Sequence, residues 1–180
     1  MGTVATVLLV AQSLSPYLAA RAAELDAATE DDLRAAFLLN FARFVTWPGE
    51  HAEGPTPLVI CIVANPGLAT VLHALVAGQT VRGRPLVVLS LKALPPPSAV
   101  HILYLTTRQR QPTQWLPGNA GAAILTISDN PDFCRLGGMI ALYSEGRRMR
   151  FEINQESLQR RGLHASSKLL ALSRSGGGTP

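Results

Sequence analysis

The chain has 180 residues, 47% of them hydrophobic, 16% charged and only 6% aromatic. That length suits one domain with an aliphatic core, and so few charges exclude a disordered chain. Fifteen Gly and thirteen Pro without a period exclude collagen and repeat arrays. The net charge of +4 comes from scattered cations, fourteen of sixteen being Arg, with no dense stripe interleaved with aromatics. A nucleic-acid reader is therefore disfavoured, while an anionic ligand or an acidic partner surface is permitted.

Val4 to Ala11 is a short apolar run followed by polar residues and Pro16, and Ala20-Arg21-Ala22 offers small residues for cleavage. A spanning helix needs about 20 mostly apolar residues, so residues 1–22 read as a secretory signal peptide, although no Lys or Arg precedes the run. Export takes the two cysteines into an oxidising compartment. Cys61 lies in the apolar run Leu58 to Val63 and Cys134 in a loop-like stretch. A buried strand thiol and a separate loop thiol is the preferred reading, over a bridge between them; sequence alone leaves the pairing undecided.

Residues 23–174 then read as one α/β domain. Thr29 and Asp32 form an N-cap pattern, and Leu33, Phe37, Phe41 and Phe44 recur as the stripe of an amphipathic helix that Pro48 ends. Pro57 to Val63 is apolar on both faces, as a fully buried strand is. Asn65-Pro66-Gly67 turns into a helix over Leu68 to Val76, ended by Gly78. Leu86 to Leu89, His101 to Leu105 and Ala122 to Ile127 are further buried strands, with a polar segment over Gln109 to Leu116. Alternating helices and apolar strands predict a mixed β-sheet flanked by helices. Gly138 to Tyr143 and Arg147 to Ile153 predict a C-terminal β-hairpin on its edge, with Met149, Phe151 and Ile153 facing in. Asn154 caps a following helix, Leu163 to Ser167 is extended, and Lys168 to Leu172 is helical; residues 175–180 form a disordered tail.

Catalytic signatures are missing. There is no phosphate-cradling loop, no nucleophile elbow, and no metal spacing among His51, His73, His101 and His164. Asp129 and Asp132 sit in a turn whose own backbone they are expected to bond. Nothing points to an enzyme or to a cofactor. Arg43 and Trp47, four apart on one helix face, could together hold a flat or anionic ligand by stacking and charge-assisted hydrogen bonds. The leading alternative is that Trp47 fills the core and Arg43 caps the helix end. His164, between Leu163 and Ala165, reads either as a core histidine or as a pocket donor.

Taken in order, Arg34 to Pro48, Val59 to Val63, His101 to Leu105, Ile124 to Asp129, Gly137 to Ile140, Arg150 to Asn154 and Gly162 to Leu170 resemble the YfiR family of periplasmic proteins. The resemblance implies a regulator that inhibits an inner-membrane diguanylate cyclase by binding its periplasmic sensor region. Cyclic di-GMP and biofilm formation would thereby be lowered. It also implies a homodimer, and an outer-membrane-associated lipoprotein that relieves the inhibition. Arg43 and Trp47 fall in the family's first-helix motif and His164 in its G-L-x-x-S-S motif, which makes them candidate ligand-binding residues for a small aromatic or anionic molecule. The alternative is a periplasmic small-solute sensor acting on another membrane protein. Relatives often pair each cysteine with another; Val100 and Ala141 stand at those places here.

Overall fold

The computed structural model describes residues 30–49, 56–93, 100–107, 123–146 and 148–173. Thr29, the Gln109 to Leu116 segment, residues 1–22 and the 175–180 tail lie outside them. The first element is helix α1, residues 30–44. After it come β1 (Val45–Thr46), β2 (Leu58–Val63), α2 (Pro66–Val76), β3 (Thr80–Val81), β4 (Arg84–Leu91), β5 (Ile102–Leu105) and β6 (Leu125–Ser128). The chain closes with β7 (Ile140–Glu145), β8 (Arg148–Ile153), α3 (Gln155–Gln159), β9 (His164–Ala165) and α4 (Ser167–Leu172).

Seven strands form one mixed sheet in the order β3-β4-β2-β5-β6-β7-β8, and β1 pairs with β9 in a separate two-residue ladder. The five strands from β4 to β7 run parallel, while β3 and β8 are antiparallel edges. Parallel strands covered on both faces must be apolar throughout, and β5 and β6 are buried along their whole length. In chain order the parallel strands run second, first, third, fourth, fifth. That doubly wound order reverses direction between β2 and β5.

One face of the sheet carries the larger core, in which Ile60, Ile62, Ile102, Tyr104, Leu125 and Ile127 pack under α1 and α2. The other face holds a smaller cluster built on Cys61, Val63, Leu103, Leu105, Ala141 and Phe133. Gly138 lies on the Phe133 ring so closely that a Cβ there would come within 2.3 Å of it. Asn65 caps α2 by accepting from the Leu68 N–H at 3.1 Å, and Pro66 opens the helix where no N–H is needed.

The α1 stripe departs from the sequence reading. Ala35, Leu38, Leu39, Phe41 and Ala42 are buried, whereas Leu33 and Phe44 are 44% and 38% exposed. Two residues are roughly 200° round a helix, so Ala35 and Ala42 stand opposite Leu33 and Phe44. The side that packs into the core carries Leu38, Leu39 and Phe41 together with the small Ala35 and Ala42. Phe37 instead packs on Phe41 and on Phe151 of β8, at 6.0 and 5.7 Å between ring centres. The hairpin follows its predicted alternation, with Phe151 and Ile153 buried and Arg148 exposed. No described helix is long and apolar enough to cross a membrane.

Candidate functional site

The residues singled out from sequence gather at the amino end of the parallel strands, where α1 stops. The chain leaves α1 directly into β1, and Val45 and Thr46 pair with Ala165 and His164 of β9. Alternation along so short a ladder sorts the side chains: Val45 and Trp47 are buried, while Thr46 and His164 are exposed. Trp47 packs edge-on against His101, 6.4 Å between ring centres, and its Nε1–H donates to the His101 carbonyl at 3.3 Å. Thr46 Oγ1 donates to the His164 carbonyl at 3.2 Å. Arg43, exposed, donates through Nη2 to Gln79 Oε1 at 2.7 Å.

Trp47 is therefore part of the core, and its N–H is already engaged. His164 is not a core histidine; its ring stands on the surface beside Thr46. Arg43 does not cap its helix. That task falls to Arg82, whose Nη2 donates to the Arg43 and Val45 carbonyls, each at 3.2 Å. Arg82 can reach them because it and Gly83 form a tight turn between β3 and β4 with φ of 52° and 74°. Positive φ at both central positions is the turn that suits a two-residue hairpin. A small cavity of about 80 Å³ lies beside His164, lined also by Leu158, Leu163 and Leu170.

Beneath this surface is a polar network that the sequence reading missed. Arg84 is buried and donates through Nε to the Thr56 carbonyl at 2.8 Å and through Nη2 to the Pro57 carbonyl at 3.1 Å. Its Nη2 also lies 2.8 Å from His101 Nε2, and His101 Nδ1 accepts from the Val59 N–H at 3.2 Å. The network ties β4, β2 and β5 together below Trp47. Its signal in the sequence is an arginine opening an apolar strand, Arg84-Pro85-Leu86-Val87-Val88-Leu89.

The opposite end of the sheet carries a second polar group of residues. The first turn of α1 brings Arg34 to Glu30 and Asp31, and Asn65 donates to Asp31 Oδ1 at 3.4 Å. Ser144 also bonds Glu30. Asp129 accepts from Thr106 Oγ1 at 3.1 Å and from the Thr107 N–H at 2.6 Å. Asp129 thus bridges to the neighbouring strand end instead of bonding its own turn; within that turn Asn130 Oδ1 accepts from the Asp132 N–H at 2.9 Å. Among these residues the Tyr104 hydroxyl and Arg34 Nε are buried without a hydrogen-bond partner. Burial raises the Tyr104 hydroxyl far above its ordinary 10.0, and Asp129 adds to the effect.

A family model described as YfiR/HmsC-like matches residues 31–174, which takes in almost every described element. The chain belongs to the YfiR/HmsC-like family. Members of this family are periplasmic and regulatory, linked to diguanylate cyclase signalling. In this YfiR/HmsC-like chain both thiols are free. Cys61 is buried, and Cys134 donates to the Glu152 carbonyl at 3.4 Å. Burial pushes each thiol up from 9.0 to about 11, so neither is a ready nucleophile. Val100 and Ala141 lie in the same cluster as the two cysteines, where they add apolar packing.

Proposed function

We propose that this chain is a periplasmic inhibitor of a membrane-bound diguanylate cyclase, acting by direct contact with the cyclase's periplasmic sensor region. The observation that carries the reading is the YfiR/HmsC-like match across residues 31–174. Arg43, Thr46 and His164 supply an exposed surface where α1, β1 and β9 meet. In this reading Arg43 and His164 touch the partner, and Trp47, anchored on His101, holds the surface in place. A lipoprotein of the outer membrane that competes for the chain would relieve the inhibition. A solute sensor at the same residues has less support, because the cavity beside His164 is about 80 Å³, against about 300–1,000 Å³ for drug-sized sites.

Deleting the gene in its own host should raise cellular cyclic di-GMP, and an exported copy should restore the lower level. An exported Arg43→Ala copy should accumulate normally and restore it poorly. Unchanged cyclic di-GMP on deletion, with the cyclase confirmed to be expressed, would overturn the inhibitor reading.

A further inference from the structure

Polar groups from several elements gather at the carboxyl end of the sheet, where the strand order reverses. In open parallel sheets, ligands bind outside the carboxyl ends of the strands at such a reversal. Tyr104 stands one residue before the end of β5, on the face that packs under α1, and is fully buried. Asn65 comes just after β2 and Asp129 just after β6. The first turn of α1 is tied down by Asn65 on Asp31 and by Ser144 of β7 on Glu30.

Two donors in this group are left over. Arg34 commits Nη1 to Asp31 and Nη2 to Glu30, while its Nε is buried with no partner. The Tyr104 hydroxyl is likewise buried and unpartnered, with Asp129, Arg34, Asp31 and Glu30 near enough to act on it. Buried donors without an acceptor are unusual, and two at one strand end call for an oxygen from outside the chain.

Charge sets the sign of the rest of that molecule. Among the described residues of this group, Glu30, Asp31 and Asp129 oppose the single guanidinium of Arg34. The start of α2 offers no seat to an anion, because Asp31 lies against it. A Cβ on Gly67, the second residue of α2, would be 3.0 Å from Asp31 Oδ2, and a carboxylate is favoured at a helix N-terminus. Among the described residues no three acidic, His or Cys side chains are grouped closely enough to hold a metal ion. An ammonium suits the wider spacing, since its hydrogens bridge about 2.7–2.9 Å to each oxygen.

We propose that this end of the sheet binds a small amino alcohol. Its ammonium donates to Asp129 and Glu30, and its hydroxyl oxygen accepts from Arg34 Nε and the Tyr104 hydroxyl. An α-amino acid presents the same ammonium but brings a fourth carboxylate to the site. A quaternary amine keeps the charge and has no N–H to donate. Because Tyr104 is buried, the ligand enters as the first turn of α1 opens. That turn hangs on the 3.4 Å Asn65 contact and the Ser144 bond, and helix ends are among the first parts of a fold to open. The site lies at the end of the sheet opposite Arg43 and His164, so the inference stands apart from the regulatory reading.

The test is calorimetric titration of the purified chain with ethanolamine, paired with its melting temperature at constant ionic strength. Wild type should bind saturably, and at ten times the dissociation constant its melting temperature should rise by about 3–6 °C. Choline and glycine should each bind at least about tenfold more weakly, for want of the N–H groups or because of the added carboxylate. Tyr104→Phe and Asp129→Asn should each weaken ethanolamine by about tenfold or more and keep the circular dichroism spectrum. If one of them fails to fold, the other decides. No binding by wild type would leave the two donors to buried water and overturn the proposal. Choline or glycine binding as tightly as ethanolamine, or full affinity in a folded variant, would overturn it too.

Discussion

The amino and carboxyl ends of the parallel strands are both polar, yet only one is closed. At the amino end, Arg84 meets two carbonyls and His101, His101 meets Val59, and Trp47 meets the His101 carbonyl. At the carboxyl end, the Tyr104 hydroxyl and Arg34 Nε are buried with no partner, although Glu30, Asp31 and Asp129 are close enough to influence Tyr104. A buried polar group without a hydrogen bond costs about 1–3 kcal/mol, while a matched one contributes about 1 kcal/mol. The amino end therefore stabilises the fold around the surface formed by Arg43 and His164. The carboxyl end holds polar groups at the strand-order reversal, a place where the sheet's own stability does not ask for them.

The comparison breaks most readily at Arg84. Arg84→Met keeps the aliphatic stem but deprives the Thr56 and Pro57 carbonyls of their donor, and should cost about 2–4 kcal/mol in denaturant unfolding. A loss below about 1 kcal/mol would mean that the amino end is not the anchor described. Trp47→Phe removes one hydrogen bond and part of a packed ring, with an expected loss of about 1–2 kcal/mol; here the folded state should keep its circular dichroism spectrum.

Tyr104→Phe sharpens the contrast from the other side. It removes an unpaired hydroxyl and little volume, so stability at neutral pH should change by less than about 0.5 kcal/mol or rise slightly. Its signature lies in alkali. Burial lifts the Tyr104 hydroxyl above its ordinary 10.0, so the folded chain retains a proton that the unfolded chain gives up. Stability must then fall as pH rises past about 10, because the folded state binds more protons there. The Phe variant should lack that part of the decline. The part that begins near pH 9 should remain, since Cys61 and Cys134 shift in the same direction, from 9.0 to about 11. A large loss at neutral pH in Tyr104→Phe would show that the hydroxyl has a partner in solution.

Much of the scaffold was legible because burial leaves a plain trace in sequence. Unbroken apolar runs marked β2, β5 and β6, and the alternation of Met149, Phe151 and Ile153 marked the hairpin edge. Asn65-Pro66 announced α2, since a capping side chain and a residue without an N–H suit a helix start. The extended Leu163 to Ser167 does contain β9, but β1 and β3 are not legible: β1 continues the helical pattern of α1, and β3 leaves no signal, because two residues carry no periodicity. The aromatic spacing of α1 also misled. Leu33, Phe37 and Phe44 share one side of the helix, but the sheet packs against Ala35 and Ala42 on the other.

The candidate site divides in the same way. Arg43, Trp47 and His164 could be named from residue chemistry and from resemblance, and family membership follows from the ordered motifs over residues 31–174. Neither source could set the direction of a side chain. That depended on the pairing of Thr46 with His164, which puts one imidazole on the surface, and on Arg82, which takes over the helix end from Arg43. Arg84, at the start of β4, and His101, just before β5, are seventeen residues apart, and β2 lies between the two strands; no local pattern joins them. Apolar periodicity, capping and turn chemistry are local properties, so the order of the longer elements and the apolar runs of β2, β5 and β6 were determined by sequence alone. Which polar groups meet and which remain unpaired depend on contacts between distant segments, and those were decided only when the sheet assembled.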